Sequence, residues 1–123
     1  MNYTEIVSSN ILKKSEGGHT MDKGTVLNIV NQFKDNITQK GIHVDRILLY
    51  GSYANNMQRQ DSDIDIVIVS DSFKDMDYWH RINILADAIS DIFQPIEAVG
   101  MTNEEWNNKV FMAAEYAQNG ILV

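Results

Sequence analysis

Ile47-Leu48-Leu49-Tyr50-Gly51-Ser52-Tyr53-Ala54 and, with ten residues between Ser52 and its first carboxylate, Asp63-Ile64-Asp65-Ile66-Val67-Ile68-Val69 are the two stretches that decide the fold. The first is an apolar strand that ends in a Gly-Ser turn. The second is an apolar strand opened by two alternate carboxylates. Strand side chains point to opposite faces in turn, so Asp63 and Asp65 project from the same side. Two carboxylates held side by side repel unless a cation lies between them. Hard oxygen ligands beside a glycine turn predict Mg²⁺, and with it a phosphate-bearing ligand, a nucleoside triphosphate.

The flanking sequence supplies the rest of an α/β fold. From Asp22 to about Gln39, Val26, Ile29, Val30, Phe33 and Ile37 line one face of an amphipathic helix, which Lys40-Gly41 closes. A first strand covers 44–50, a short helix 52–57 and a second strand 64–69. Trp79, Ile82, Leu85, Ala86, Ile89 and Phe93 return at helical spacing between residues 77 and 93. Pro95 then leads into a third strand over 96–99. Thr102-Asn103-Glu104-Glu105 is a capping box that opens a last helix carrying Trp106, Val110, Ala113, Ala114 and Ala117, and Asn119-Gly120 ends it. The order α-β-α-β-α-β-α predicts helices packed on a short sheet. Residues 1–20, with Tyr3, Ile6, Val7 and Ile11 at helical spacing and a break at Ser15 to Thr20, read as an N-terminal extension; residues 21–123 read as a single functional domain.

A chain of 123 residues supports one core. It contains no cysteine, which excludes disulfides and thiolate zinc sites and fits a cytoplasmic protein. No apolar run approaches the roughly 20 residues that cross a bilayer, and the N-terminus lacks a signal-peptide pattern, so no membrane role is expected. The net charge is −7, and residues 61–100 hold nine acidic side chains against two basic ones. That balance opposes direct binding to nucleic acid, where Lys and Arg must neutralise phosphates. It suits metal ions or a basic partner surface.

Gly51-Ser52, ten residues, then Asp63-Ile64-Asp65 resembles the signature of the DNA polymerase β-like nucleotidyltransferase superfamily. Gly-Ser-Tyr-Ala followed by Ser-Asp-Ile-Asp-Ile is similar to its minimal nucleotidyltransferase branch, which includes antitoxins paired with HEPN ribonuclease toxins. The resemblance covers roughly residues 22–105. It implies a short mixed sheet packed with helices, and transfer of a nucleoside monophosphate, AMP from ATP, with two Mg²⁺ ions. Such paired ions, about 3.5–4 Å apart, stabilise both the attacking and the departing oxygens. Asp63 and Asp65 supply two of the metal-binding and catalytic carboxylates. The third belongs on a neighbouring strand, and Glu97 in Pro95-Ile96-Glu97-Ala98 matches that place, where relatives often carry Asp. By the same resemblance Gly51 and Ser52 contact the triphosphate. The expected mode is backbone N–H groups at the start of the short helix, aided by its dipole.

One departure separates the chain from active relatives. Where the run often continues Gly-Ser-x-Ala-Arg-Gly, residues 55 and 56 are Asn55-Asn56, and Arg59 is the nearest cation that could serve the phosphates. Three functions follow from the resemblance. One is a transferase that attaches AMP to a hydroxyl side chain of a HEPN-type toxin. Another is a module of weak or lost activity that inhibits a partner by binding it. The last is a small-molecule, antibiotic-type adenylyltransferase acting as a homodimer. The acceptor site must come from a partner or a second copy, because larger relatives append a helical domain for it. Asp61-x-Asp63-x-Asp65 starts like a calcium loop, but Ile66 replaces the required glycine. His19, His43 and His80 are too scattered for a metal cluster.

Overall fold

The computed structural model describes residues 21–58 and 62–123. The proposed extension over 1–20, and Arg59, lie outside the described residues. Helix α1 (Lys23–Gln39) begins where the Asp22 carboxylate accepts the Thr25 N–H at 2.7 Å. Its stripe of Val26, Val30, Phe33 and Ile37 is completely buried. Each such side chain contributes about 1.5–3 kcal/mol relative to exposure. Lys40 caps the far end, and Gly41 takes the left-handed φ of 92° that follows many helices.

Four strands form one mixed sheet in the order β3-β2-β1-β4. Strand β1 (Arg46–Tyr50) pairs antiparallel with β2 (Ile64–Val69), and β2 pairs parallel with β3 (Ile96–Met101). Strand β4 (Ile121–Leu122) adds antiparallel to the free edge of β1. The mixed sheet is the expected one. The fourth strand was not expected, since two residues carry no readable alternation.

Helices α1 and α2 (Tyr78–Ile89) cover one face, closing a core around Phe33, Ile47, Leu49, Ile64, Ile66 and Ile68. The other face, with Leu48, Val67, Val69 and Met101, is roofed by Trp106 of α3 (Asn103–Asn107), Ala114 of α4 (Met112–Tyr116) and Ala117. Helices therefore flank the sheet on both sides. Among the described residues no helix is long and apolar enough to cross a membrane.

Several boundaries differ from expectation, each for a physical reason. Residues 52–57 are hydrogen-bonded turns rather than a helix, with Asn56 at a φ of 57°. The last helix is split in two by Lys109, whose φ of 51° no helix accommodates. The capping box at its start is present in full. Helix α2 stops at Ile89, and its buried stripe runs through Arg81, Leu85, Ala88 and Ile89. Trp79 and Phe93, expected on that stripe, are 68% and 48% exposed. Arg81 takes an inward place because its guanidinium is satisfied there, by Glu105 at 2.7 Å and the Met76 carbonyl at 3.2 Å.

Candidate active site

The two strand pairings set the site. In the antiparallel ladder Tyr50 lies opposite Asp65, and in the parallel ladder Asp65 lies beside Glu97. Register partners share a face, so Tyr50, Asp65 and Glu97 form a row across three strands. Along β2 the same face continues into Val67 and Val69, the side roofed by the two shortest helices. The row occupies the end of the sheet where β1 runs into the Gly51 turn.

Asp65 and Glu97 are register partners on adjacent parallel strands, so their carboxyl groups stand side by side. Burial first, then the charge of Glu97, then that of Asp63 push the Asp65 carboxyl up to about 7. Tyr50 is held protonated far above the usual range, by burial and then by the Asp65 and Glu97 charges. Both shifts record burial first and, after it, the clustered negative charge of the neighbouring carboxylates.

The turn is fitted around Asp65. Gly51 has a φ of 72°, and a Cβ there would come within 2.3 Å of the Asp65 Oδ2. Glycine is required twice, by the left-handed backbone and by the carboxylate resting on its Cα. The following N–H groups turn inward: Ala54 donates to the Gly51 carbonyl at 3.2 Å, and Met57 to that of Ser52 at 2.9 Å. With no helix at 52–57, the expected helix-dipole cradle is withdrawn, leaving the Ser52 hydroxyl as the side-chain donor at this turn. The Asn55 amide nitrogen also folds back, donating to the Gly51 carbonyl at 3.1 Å. Tyr53 is buried beneath the turn and hydrogen-bonded to the Met21 backbone.

Asp63 stands one residue before β2 and influences Asp65 by its charge. The structure brings Asp65 and Glu97 together but does not close Asp63 onto them as a three-ligand cage. Among the described residues no group of three or more His, Cys, Asp or Glu side chains is close enough to hold a metal ion. The donor chemistry still fits Mg²⁺: Asp65 and Glu97 are two hard carboxylates side by side on adjacent strands, with Asp63 one residue before the ladder. Tyr50 was missed as a neighbour of the site. The alternation of Leu48 and Tyr50 with the buried Ile47 and Leu49 carries that signal.

The mixed sheet thus presents a Gly-Ser turn beside paired carboxylates on adjacent strands. Residues 28–123 match the family described as "Polymerase beta, Nucleotidyltransferase", and the chain belongs to it. Among solved structures, a candidate nucleotidyltransferase from Sulfolobus solfataricus superposes with a TM-score of 0.62 at 16% sequence identity, covering 81% of this chain and 80% of the other. At that identity the likeness is one of fold. No curated protein matches the sequence significantly.

Proposed function

We propose that the protein is a minimal nucleotidyltransferase that moves AMP from ATP onto a hydroxyl side chain of a partner protein, a HEPN-type toxin. The observation that supports it is the Asp65–Glu97 pair, adjacent in the β2–β3 register and set against the Gly51 turn. Asp63, Asp65 and Glu97 would hold Mg²⁺, which when bound neutralises the charge that builds on the α-phosphate. Ser52 donates to the terminal phosphates, and Gly51 lets them approach the backbone; Arg59 would add a cation. Glu97 takes the proton of the attacking hydroxyl as the new phosphodiester bond forms and pyrophosphate departs. Asp65 keeps that carboxylate in place. The acceptor hydroxyl comes from the partner. With no cysteine and a need for ATP and Mg²⁺, the cytoplasm is the fitting compartment.

One observation favours a second reading, a module that inhibits its partner by binding alone. The residue standing where an arginine is expected, Asn55, spends its amide on the Gly51 carbonyl and brings no positive charge to the phosphates.

Incubation with ATP labelled at the α-phosphate, Mg²⁺ and lysate of the host tests both. Label on a protein band, lost with Asp65→Asn, supports transfer and identifies the acceptor by mass. Pyrophosphate release without protein labelling redirects the activity to a small molecule. Neither signal, with a partner still captured, leaves the binding module.

A further inference from the structure

Glu97 lies on β3, and among the described residues the sheet has no strand beyond it. Two residues along that strand and on the same face stands Val99, about 7 Å further on. Val99 is one wall of an apolar cavity of about 50 Å³, closed by Tyr78, Ile82 and Leu85 of α2 and by Phe111. Pockets that take small molecules span ~300–1,000 Å³, so this one receives a single apolar side chain. Arg81 also reaches the wall, but its charge is met by Glu105 at 2.7 Å.

Large apolar side chains surround the mouth of the cavity and are left in water. Tyr78 is 60% exposed, and the Trp79 ring meets it edge-on with centroids 5.5 Å apart. Val110 and Met112, on either side of Phe111, are exposed as well. Such residues scattered singly are ordinary, whereas a cluster of them about a cavity marks a contact surface. Aromatic residues and Met are the types enriched in such surfaces.

Charge selects the occupant. Asp75, Asp77, Glu104 and Glu115 are exposed on the segments that frame the cavity, and Glu97 stands on its floor strand; Lys74 and Lys109 are the exposed cations of those segments. A second copy would bring the same acidic surface, and a net charge of −7, against this one. A basic surface is complementary to it.

We infer that this cavity docks the acceptor-bearing partner, a basic protein surface that seats one apolar side chain among Tyr78, Val99 and Phe111 and so carries its hydroxyl to Glu97. This docking rests on the nucleotidyl-transfer reading and gives it the surface that the partner uses. The spacing of Val99 from Glu97 sets that of the partner, whose hydroxyl lies about 7 Å from its apolar knob.

The protein that α-labelled ATP labels in host lysate, once identified by mass, is purified and used as the acceptor. Tyr78→Ala and Met112→Lys are each expected to reduce transfer at limiting acceptor by about tenfold or more, as loss of an interface anchor does. Calorimetry should show their Mg·ATP affinity unchanged. For wild type the KM for the acceptor should rise with salt. Both side chains are exposed, so the variants keep the fold, and a thermal melt checks it. Variants that transfer like wild type overturn the docking surface, and a KM indifferent to salt overturns the basic partner; in both cases the transfer reading stands. A wild type that self-associates, and is made monomeric by Tyr78→Ala, gives the cavity to a second copy and overturns the proposal. A wild type that binds Mg·ATP yet labels no protein overturns the transfer reading and the docking surface with it.

Discussion

A Cβ placed on Gly51 would approach the Asp65 Oδ2 to 2.3 Å, so the turn and the carboxylate are fitted to each other. Gly51→Ala is therefore expected to fail twice. An L-residue at a φ of 72° costs ~1–2 kcal/mol, and the collision displaces Asp65 from Glu97. Urea unfolding should show the loss, and titration should show Mg·ATP binding abolished. In an Asp65→Ala background the backbone cost persists while the collision disappears. Full additivity of the two changes would sink the claim of direct contact.

The pH dependence of the metal-free protein follows from Asp65. Its folded pKa of about 7 lies above the ordinary 3.8, so between those values the folded state binds a proton that the unfolded chain has released. That contribution to stability is complete below about 4 and is lost as pH rises through about 7. Asp22, Asp71 and Glu105, whose carboxyls are held below the usual range, act in the opposite sense, but only in acid. Denaturant midpoints in a chelator should therefore fall from pH 5 to pH 8. Mg²⁺ competes with the same proton, so its affinity should rise up to about tenfold per pH unit below 7 and level off above. A midpoint that rises across this range contradicts the assignment.

Glu97→Gln removes one of two crowded charges while keeping a hydrogen-bonding partner for Asp65. The variant is expected to be more stable than wild type at pH 8 by about 1 kcal/mol, with little difference at pH 5, where Asp65, raised to about 7, is protonated. Mg²⁺ and nucleotidyl transfer should both be lost. Thermal melts at the two pH values, with and without Mg²⁺, check this. Destabilisation at pH 8 would mean that Glu97 serves the fold rather than the site.

Gly100 lies three residues beyond Glu97 on β3, under the ring of Phe73. A Cβ there would meet Phe73 Cζ at 2.7 Å and Cε2 at 2.9 Å, and the ring is fully buried and cannot swing aside. Gly100→Ala should cost ~1–3 kcal/mol by overpacking. Shortening the ring in Phe73→Leu should restore much of it, as urea midpoints of the single and double variants would show. No recovery would place the strain elsewhere.

The strand–turn–strand unit could be read from the sequence because each part carries its own signal. Ile47 to Tyr50 and Ile66 to Val69 are apolar runs, and Asp63 and Asp65 stand out as carboxylates at the start of the second. Placing Glu97 beside Asp65 needed only the next strand to be a neighbour, and the parallel register supplied the rest. What could not be read depended on partners distant in sequence. Arg81 is no part of the apolar pattern, yet Glu105, the Gly100 carbonyl and the Met76 carbonyl receive it on the buried side of α2, while Trp79 and Phe93 are exposed. The break at Lys109 has no glycine to announce it, and β4 is too short for periodicity. Tyr116 and Asn119 come near Gly51 only because β4 pairs with β1.

Strand β3 is an outer strand of the sheet, and such a strand ordinarily offers its backbone to any extended chain that drifts past. Arg81 reaches from α2 to Glu105 on α3, and on the way its guanidinium meets the Gly100 carbonyl at 3.4 Å. An ion pair that looks like packing thus also occupies one backbone acceptor of that outer strand. A chain that loses it would show its defect first as self-association in concentrated solution, before any change at the nucleotide turn.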